Sequence, residues 1–264
     1  MIATAGQFTG KQWRSGRLEQ FLAGHPYPLL YATVHGSRLY AFDTLESDLD
    51  LRGCHVLPVE QVLGLRDGPE TVTRKGELAG AGVELVTHEV KKVCRLLLKG
   101  NGNVLEEVLS PLVLVTGDFH AELRDITGET ISRKHSGHYL GMASQALSVL
   151  QKPGKGKVKY ALHLYRALLT GVHLMETGKL ECRLPVLNGR ARLSHVDELL
   201  ERRKGGPGEQ GLTGQEIAFM AGKFDRLMLE LKEAADRSPL PAQGQREARL
   251  NDLLVRIRRD GRYR

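Results

Sequence analysis

The chain has 264 residues, of which 41% are hydrophobic and 26% are charged, and its formal net charge at pH 7 is +7. This length allows one large or two small domains, and the hydrophobic fraction is sufficient for a folded core. The excess of positive charge favours a polyanionic partner such as a nucleic acid or a nucleotide, although an ordinary basic protein can have the same balance.

The cysteines and the hydropathy exclude several classes of protein. Cys54, Cys94 and Cys182 are odd in number and far apart, which excludes a disulfide framework and a cysteine-rich zinc site. No apolar run approaches the roughly 18 residues of a membrane span, and the N-terminus lacks the apolar core of a signal peptide. We therefore expect a cytoplasmic protein with reduced thiols and no membrane partner.

The first half of the chain predicts short strands and helices in alternation. An apolar run rich in β-forming residues predicts a buried strand over Leu29–Val34. A Gly-rich connection predicts a hairpin between strands at 70–74 and 83–87. Helical spacing predicts a helix over 88–99, for which Thr87 would be the N-cap. Other short helices are predicted at 10–24, 58–64 and 104–109.

Two features near the first strand point to phosphate chemistry. Gly36-Ser37 follows that strand, and the backbone N–H groups of such small residues can approach phosphate oxygens closely. On a strand, Asp48 and Asp50 lie on one face, where their charges repel unless a cation lies between them. Oxygen ligands of this kind suit Mg²⁺ or Mn²⁺. The combination is typical of phosphoryl transfer.

Gly-Ser followed by Asp-x-Asp resembles the signature of the DNA polymerase β-type nucleotidyltransferase superfamily. The strings His35-Gly-Ser-Arg-Leu-Tyr40 and Glu46-Ser-Asp-Leu-Asp-Leu-Arg-Gly53 are similar to the bacterial RNA-repair-pathway, polymerase β-like nucleotidyltransferases. The segments 97–106 and 157–166 fit the same family, so the resemblance covers roughly residues 29–180. The motif is specific for the superfamily and says little about the substrate.

The resemblance implies a site with two divalent ions, Mg²⁺ or Mn²⁺, held by Asp48 and Asp50. In the superfamily a third acidic residue comes from a neighbouring strand and acts on the attacking hydroxyl. Glu84 fits this role by position, the alternative being an exposed glutamate on a strand face. Glu106 and Glu107 are expected to be charges on the surface of a helix, and they are weaker candidates for metal ligands because no motif carries them.

The resemblance also implies that Gly36 and Ser37 cradle the β- and γ-phosphates of a nucleotide, with Arg38 and Lys159 as cationic partners. In the predicted helix 156–177, Lys159, His163 and Arg166 share one face of an otherwise apolar helix. We expect this face to line the nucleotide site, the alternative being a face exposed to solvent.

The second half of the chain predicts helices near 118–127, 130–150, 156–177, 194–203 and 213–236. From residue 243 the sequence predicts an amphipathic helix with a basic end that is suited to phosphates if it is not merely solvated.

Together these patterns predict an α+β protein. A small mixed-sheet, polymerase β-like nucleotidyltransferase core would occupy residues 1–115, and a helical domain at 116–264 would close the nucleotide cleft. The expected reaction moves a nucleoside monophosphate from an NTP to a hydroxyl and releases pyrophosphate. An RNA 3′ end, such as that of tRNA, is the favoured acceptor. Nucleotidylation of a protein or small molecule, and a non-catalytic nucleotide-binding module, are the alternatives.

Overall fold

The structure is a computed structural model that describes residues 16–78, 80–205, 211–244 and 246–263. Along the chain its elements are α1 (Gly16–Ala23), β1 (Leu29–Val34), α2 (Gly36–Leu39), β2 (Leu49–His55), α3 (Glu60–Leu63), β3 (Thr71–Leu78), β4 (Ala81–Glu89), α4 (Val90–Leu98), α5 (Gly102–Leu109), β5 (Val113–Val115), α6 (Asp118–Thr130), α7 (His135–Leu150), α8 (Val158–Thr177), α9 (Leu184–Ala191), α10 (Ser194–Lys204), α11 (Gly214–Arg237), α12 (Glu247–Arg259) and a final 3₁₀ turn (Gly261–Tyr263).

These residues form two compact units. Unit 1 contains the described residues up to Gly36, the segment Ser47–Thr130 and residues 246–263. Unit 2 contains Ser37–Glu46 and Ile131–Gly244. This division differs from the predicted boundary at residue 115, because α6 and α12 bury apolar side chains in the same cluster as the sheet of unit 1.

Unit 1 is built on a five-stranded sheet with the order β3-β4-β2-β1-β5. Strands β2 and β4 are parallel, and the other neighbouring pairs are antiparallel. The sheet is therefore mixed, which confirms the predicted α+β class. The predicted hairpin is also confirmed, since β3 and β4 pair along their whole length.

Side chains alternate along the strands, so the sheet has two distinct faces. Ala32, Leu51 and Leu85 pack with Leu18 and Leu22 of α1. The opposite face carries Tyr31 and Cys54, which pack with α4, α5, α6 and α12. Both faces are covered, which explains why β1 reads as a continuous apolar run.

The predicted cap of the helix after β4 is wrong. Thr87 is the last but two residue of β4, and its hydroxyl is hydrogen-bonded to His25 and His55 at 3.0 and 2.8 Å. The N-cap of α4 is Glu89, whose carboxylate accepts a hydrogen bond from the N–H of Lys91. The strand β4 extends two residues beyond the predicted end at 87, because its register with β2 continues to Glu89.

Unit 2 is helical and is centred on α8, whose 20 residues are mostly buried. Helices α7, α9, α10 and α11 all pack against it. The sequence did not predict α9, a short helix that contains both Pro185 and Gly189. Among the helices of the described residues, none has the length and apolar character that a membrane span requires.

Candidate functional site

The end of β1 brings backbone close to a carboxylate. The N–H of His35 donates to the carbonyl oxygen of Asp50 at 2.8 Å, which fixes this segment against β2. Gly36 follows with a φ of 64°, a conformation that favours glycine. A Cβ at this position would overlap Oδ2 of Asp50, so only glycine lets the backbone pass this carboxylate.

A second glycine accommodates the other aspartate. Asp48 precedes β2 and is exposed, whereas Asp50 lies within β2 and is half-buried. A Cβ added to Gly82 of β4 would lie 2.6 Å from Oδ1 of Asp48. Each carboxylate of the Asp-x-Asp motif is therefore accommodated by a glycine of a neighbouring segment.

Glu84 lies beside the motif. In the parallel pair of β2 and β4, Asp50 is the register partner of Glu84, so both side chains leave the same face of the sheet. In this structure Oε1 of Glu84 is 3.0 Å from Nζ of Lys75, which lies opposite it on β3. This ion pair uses one oxygen of the Glu84 carboxylate.

The donor set suits a hard divalent cation that shares its coordination with a substrate. In the part of the chain that the structure describes, no group of three His, Cys, Asp or Glu side chains is gathered closely enough to hold a metal ion. Mg²⁺ in nucleotide enzymes is usually bound by one or two carboxylates together with phosphate oxygens and water. Asp48 and Asp50 fit that arrangement.

The expected phosphate-binding segment is a short helix rather than an open turn. Gly36 is the first residue of α2, and the buried Ser37 accepts a hydrogen bond from the N–H of Phe42 at its carbonyl oxygen. Nη1 of Arg38 is 3.1 Å from Oδ2 of Asp43, so this cation is already paired within unit 2.

Within unit 2, the predicted polar face of α8 packs against the segment after α2. The ring of His163 lies edge-on to Tyr40 and Phe42, with centroids 5.7 and 5.0 Å apart. The guanidinium of Arg166 lies 4.0 Å from the centre of the Tyr40 ring and is almost fully buried. Lys159, at the first turn of α8, is half-buried.

Burial and nearby cations determine the charge state of His163. Desolvation, and then the charges of Arg166, Lys159 and Arg203, lower its pKa to about 3. At neutral pH the ring is therefore neutral and can donate one hydrogen bond and accept another. The positive charge of this face therefore comes from Lys159 and Arg166 and not from His163.

The expectation for Glu106 and Glu107 is wrong, because both side chains are buried in unit 1. Oε2 of Glu106 lies 3.7 Å from Nε2 of His35, the residue before Gly36. Glu107 accepts a 2.7 Å hydrogen bond from the hydroxyl of Tyr31, and burial raises its pKa to about 8. The sequence offered one signal, since α5 is apolar on several sides, as buried helices are.

Comparison with known proteins gives a family match over most of the chain. Residues 11–256 match the RNA repair pathway DNA polymerase beta family. The uncharacterized protein MJ0002 of Methanocaldococcus jannaschii is 29% identical over 153 residues, which are 57% of this chain and 61% of that protein. The crystal structure of a nucleotidyltransferase-like protein from Exiguobacterium sibiricum aligns with 95% of this chain and 81% of its own, with 14% sequence identity and a TM-score of 0.35. Because the family match extends over most of the sequence, the chain belongs to the RNA repair pathway DNA polymerase beta family.

Proposed function

We propose that the protein transfers a nucleoside monophosphate from an NTP to an acceptor hydroxyl and releases pyrophosphate. The observation that carries this proposal is the pair of carboxylates, Asp48 and Asp50, each accommodated by a glycine. One or two carboxylates are what Mg²⁺ uses in nucleotide enzymes, where phosphate oxygens and water complete its coordination.

Asp48 and Asp50 would hold the two divalent ions, Mg²⁺ or Mn²⁺. When bound, such ions activate the attacking hydroxyl and neutralise the charge that develops on the triphosphate. In the transfer, the acceptor oxygen forms a bond to the α-phosphorus and the bond to the β-phosphate oxygen breaks. Glu84 would complete the metal site or accept the proton of the hydroxyl.

The remaining residues would bind the nucleotide. Gly36 and Ser37 would approach the β- and γ-phosphates with their backbone, with Arg38 as a cationic partner. Lys159 and Arg166 would offer positive charge and His163 a neutral hydrogen-bond donor. The low pKa of His163 supports that last assignment, because a protonated ring beside these cations is unfavourable.

We propose an RNA 3′ end as the acceptor, with NTP as the donor. The family description, which names an RNA repair pathway, and the net charge of +7 support this choice. The positive charge of the chain exceeds what is needed to neutralise one bound triphosphate, and the phosphates of an RNA acceptor would account for the excess.

The experiment that tests this proposal supplies each of the four NTPs, labelled at the α- or the γ-phosphate, with Mg²⁺ or Mn²⁺ and total RNA. We expect label from the α-phosphate to appear in RNA and label from the γ-phosphate to appear in pyrophosphate. The Asp48→Asn/Asp50→Asn variant is the control and should label nothing. Incorporation of the γ-phosphate into the acceptor would show a kinase instead and would contradict the proposal.

A further inference from the structure

The positive charge of the chain is concentrated in unit 2. The segments 37–46 and 131–244 contain 19 basic and 13 acidic residues, a net charge of +6 out of the total of +7. Within this part, residues 131–175 contain no Asp or Glu at all. They do contain seven cations: Arg133, Lys134, Lys152, Lys155, Lys157, Lys159 and Arg166.

Three of these cations lie in the connection between α7 and α8. We call residues 151–157 the lysine loop, with the sequence Gln-Lys-Pro-Gly-Lys-Gly-Lys. Lys152 and Lys155 are exposed, and neither forms an ion pair within the described residues. Lys157 is the N-cap residue of α8, whose first turn contains no acidic residue. The positive end of the helix dipole therefore adds to the charge of the loop.

The lysine loop is anchored within unit 2. The carbonyl oxygen of Gly156 accepts a 2.7 Å hydrogen bond from the N–H of Leu212, and a Cβ on Gly156 would lie 2.8 Å from Ile217 of α11. Lys157 forms a β-bridge with Gly211, whose carbonyl oxygen accepts a hydrogen bond from Arg202 of α10. Backbone contacts thus hold the end of the loop in place, while the exposed side chains of Lys152 and Lys155 remain available to a partner.

The other conspicuous basic segment is neutralised by neighbouring acids. Along the C-terminal segment, five arginines pair with carboxylates of unit 1: Arg246 and Arg249 with Glu129, Arg256 with Glu122 and Asp252, Arg258 with Glu89, and Arg262 with Asp260. The positive charge of these arginines, which the sequence suggested for binding phosphates, is therefore compensated by carboxylates of unit 1. By contrast, Lys152 and Lys155 of the lysine loop form no ion pair with a carboxylate of the described residues.

We infer that the lysine loop binds the phosphate backbone of the acceptor RNA, an inference that rests on the proposed function. Exposed lysines spread along a loop suit successive phosphates of a strand better than one compact triphosphate. An anionic membrane is a poorer match, because such binding normally adds buried apolar side chains to charge. None of the large exposed hydrophobic residues of the described chain lies in this loop.

The test measures RNA binding directly, without NTP. Fluorescence anisotropy of a labelled single-stranded RNA is followed from about 50 to about 200 mM salt for the wild type and for Lys152→Gln/Lys155→Gln. The matched control is Lys91→Gln/Lys99→Gln, which removes the same charge from two exposed lysines of unit 1. Thermal unfolding establishes that all three proteins are folded.

The loop variant should bind RNA about tenfold more weakly, and the slope of log K against log salt should decrease by about 1.4. The control should keep the wild-type slope. An equal loss in both variants, or wild-type binding by the loop variant, would overturn the inference. So would a loop variant that keeps its RNA affinity but no longer binds phosphatidylglycerol vesicles.

Failure of the inference can be distinguished from failure of the proposed function. If the wild type labels RNA from α-labelled NTP while the loop variant binds RNA normally, the transfer reaction stands and only the binding surface is wrong. If the wild type neither binds nor labels RNA but labels another acceptor, the RNA acceptor and the lysine loop inference both fail.

Discussion

At the scale of single residues, the glycines beside the acidic motif are as informative as the aspartates. Any residue can flank a surface carboxylate, but Gly36 and Gly82 leave no room for a Cβ next to Asp50 and Asp48. Because Gly36 also has a positive φ, its substitution would strain the backbone and confuse the result. Gly82 provides the cleaner test, since its φ is ordinary.

Gly82→Ala should weaken metal-dependent transfer without unfolding the protein. The new Cβ would lie 2.6 Å from Oδ1 of Asp48, and the exposed carboxylate can rotate away. We expect the Mg²⁺ concentration for half-maximal transfer to rise by about tenfold, which corresponds to about 1.4 kcal/mol of lost metal affinity. Gly76→Ala, on the adjacent strand β3 and near Phe21 instead of a carboxylate, is the control. An unchanged Mg²⁺ requirement in Gly82→Ala would contradict this geometry.

Glu107 should make stability depend on pH in an unusual direction. Its native pKa is about 8 because of burial, against an ordinary value of 4.5. Between these values the unfolded chain has lost a proton that the native protein keeps, so this contribution is complete below pH 4.5 and is lost as the pH rises towards 8. Glu107→Gln should remove this contribution.

The measurement is the free energy of unfolding in urea from pH 5 to pH 8 for the wild type and Glu107→Gln. The difference between the two proteins isolates Glu107 from His55 and His120, whose pKa values are lowered to about 4 and which act in the opposite direction. A difference that stays constant across this range would show that Glu107 is charged in the native protein.

The sequence predicted the acidic motif but not its surroundings. Asp48, Asp50 and the Gly-Ser pair stand in a recognisable local pattern. By contrast, the contact between Glu106 and His35 joins α5 to the residue after β1 and depends on how α5 packs on the sheet. Likewise, no pattern in the sequence links Gly82 to Asp48, because their contact arises from the pairing of β2 with β4.

At the scale of elements, α12 belongs to the core of unit 1. Leu250, Leu253 and Ile257 are buried on its apolar face, which confirms the predicted amphipathic helix. The basic side chains of α12 also hold the helix to unit 1, which the sequence did not indicate. The guanidinium of Arg258 pairs with the buried Glu89 and donates to the carbonyl oxygen of Leu57. Deletion of α12 would therefore expose the core of unit 1, and any loss of RNA binding in such a variant could result from unfolding.

Arg258→Ala should destabilise the protein by about 3–5 kcal/mol, because it leaves the carboxylate of Glu89 buried without its partner. Arg259→Ala, at the next position, removes an exposed arginine that has no ion pair within the described residues. This control should change stability by no more than about 0.5 kcal/mol. Urea unfolding at pH 7 measures both values, and equal effects of the two substitutions would contradict the structural role of Arg258.

Strong local periodicity allowed most of the longer elements to be predicted, whereas the ends of elements and the short elements α2, β5 and α9 were missed. The strand Leu29–Val34 and the hairpin were predicted because apolar runs and Gly-rich turns are local signals. The helix α9 was missed because its eight residues include a proline and a glycine. Its Pro185 lies in the first turn, where proline is tolerated, so the helix forms by packing against α8.

At the scale of the whole molecule, the two units differ in charge more than in size. Unit 1 holds the acidic motif and is nearly neutral, while the excess positive charge belongs to the sequence of unit 2. The sequence gives a net charge of +7, but it does not show which basic segment can bind a partner. From the sequence, the basic C-terminal segment and the lysine loop were equally good candidates. Only the ion pairs of α12 with α6 and Glu89 reveal that this segment is neutralised.

The most direct test of the account is nucleotide transfer by Asp48→Ala, measured together with thermal unfolding in metal-free buffer. Asp48 is exposed, and a charge that repels Asp50 is removed, so the melting temperature should stay the same or rise slightly. Transfer of the α-labelled monophosphate should fall by at least about a thousandfold, as expected when a metal ligand of the reaction is lost. Near-normal transfer by a folded Asp48→Ala protein would contradict the central claim that this carboxylate holds the metal for nucleotidyl transfer.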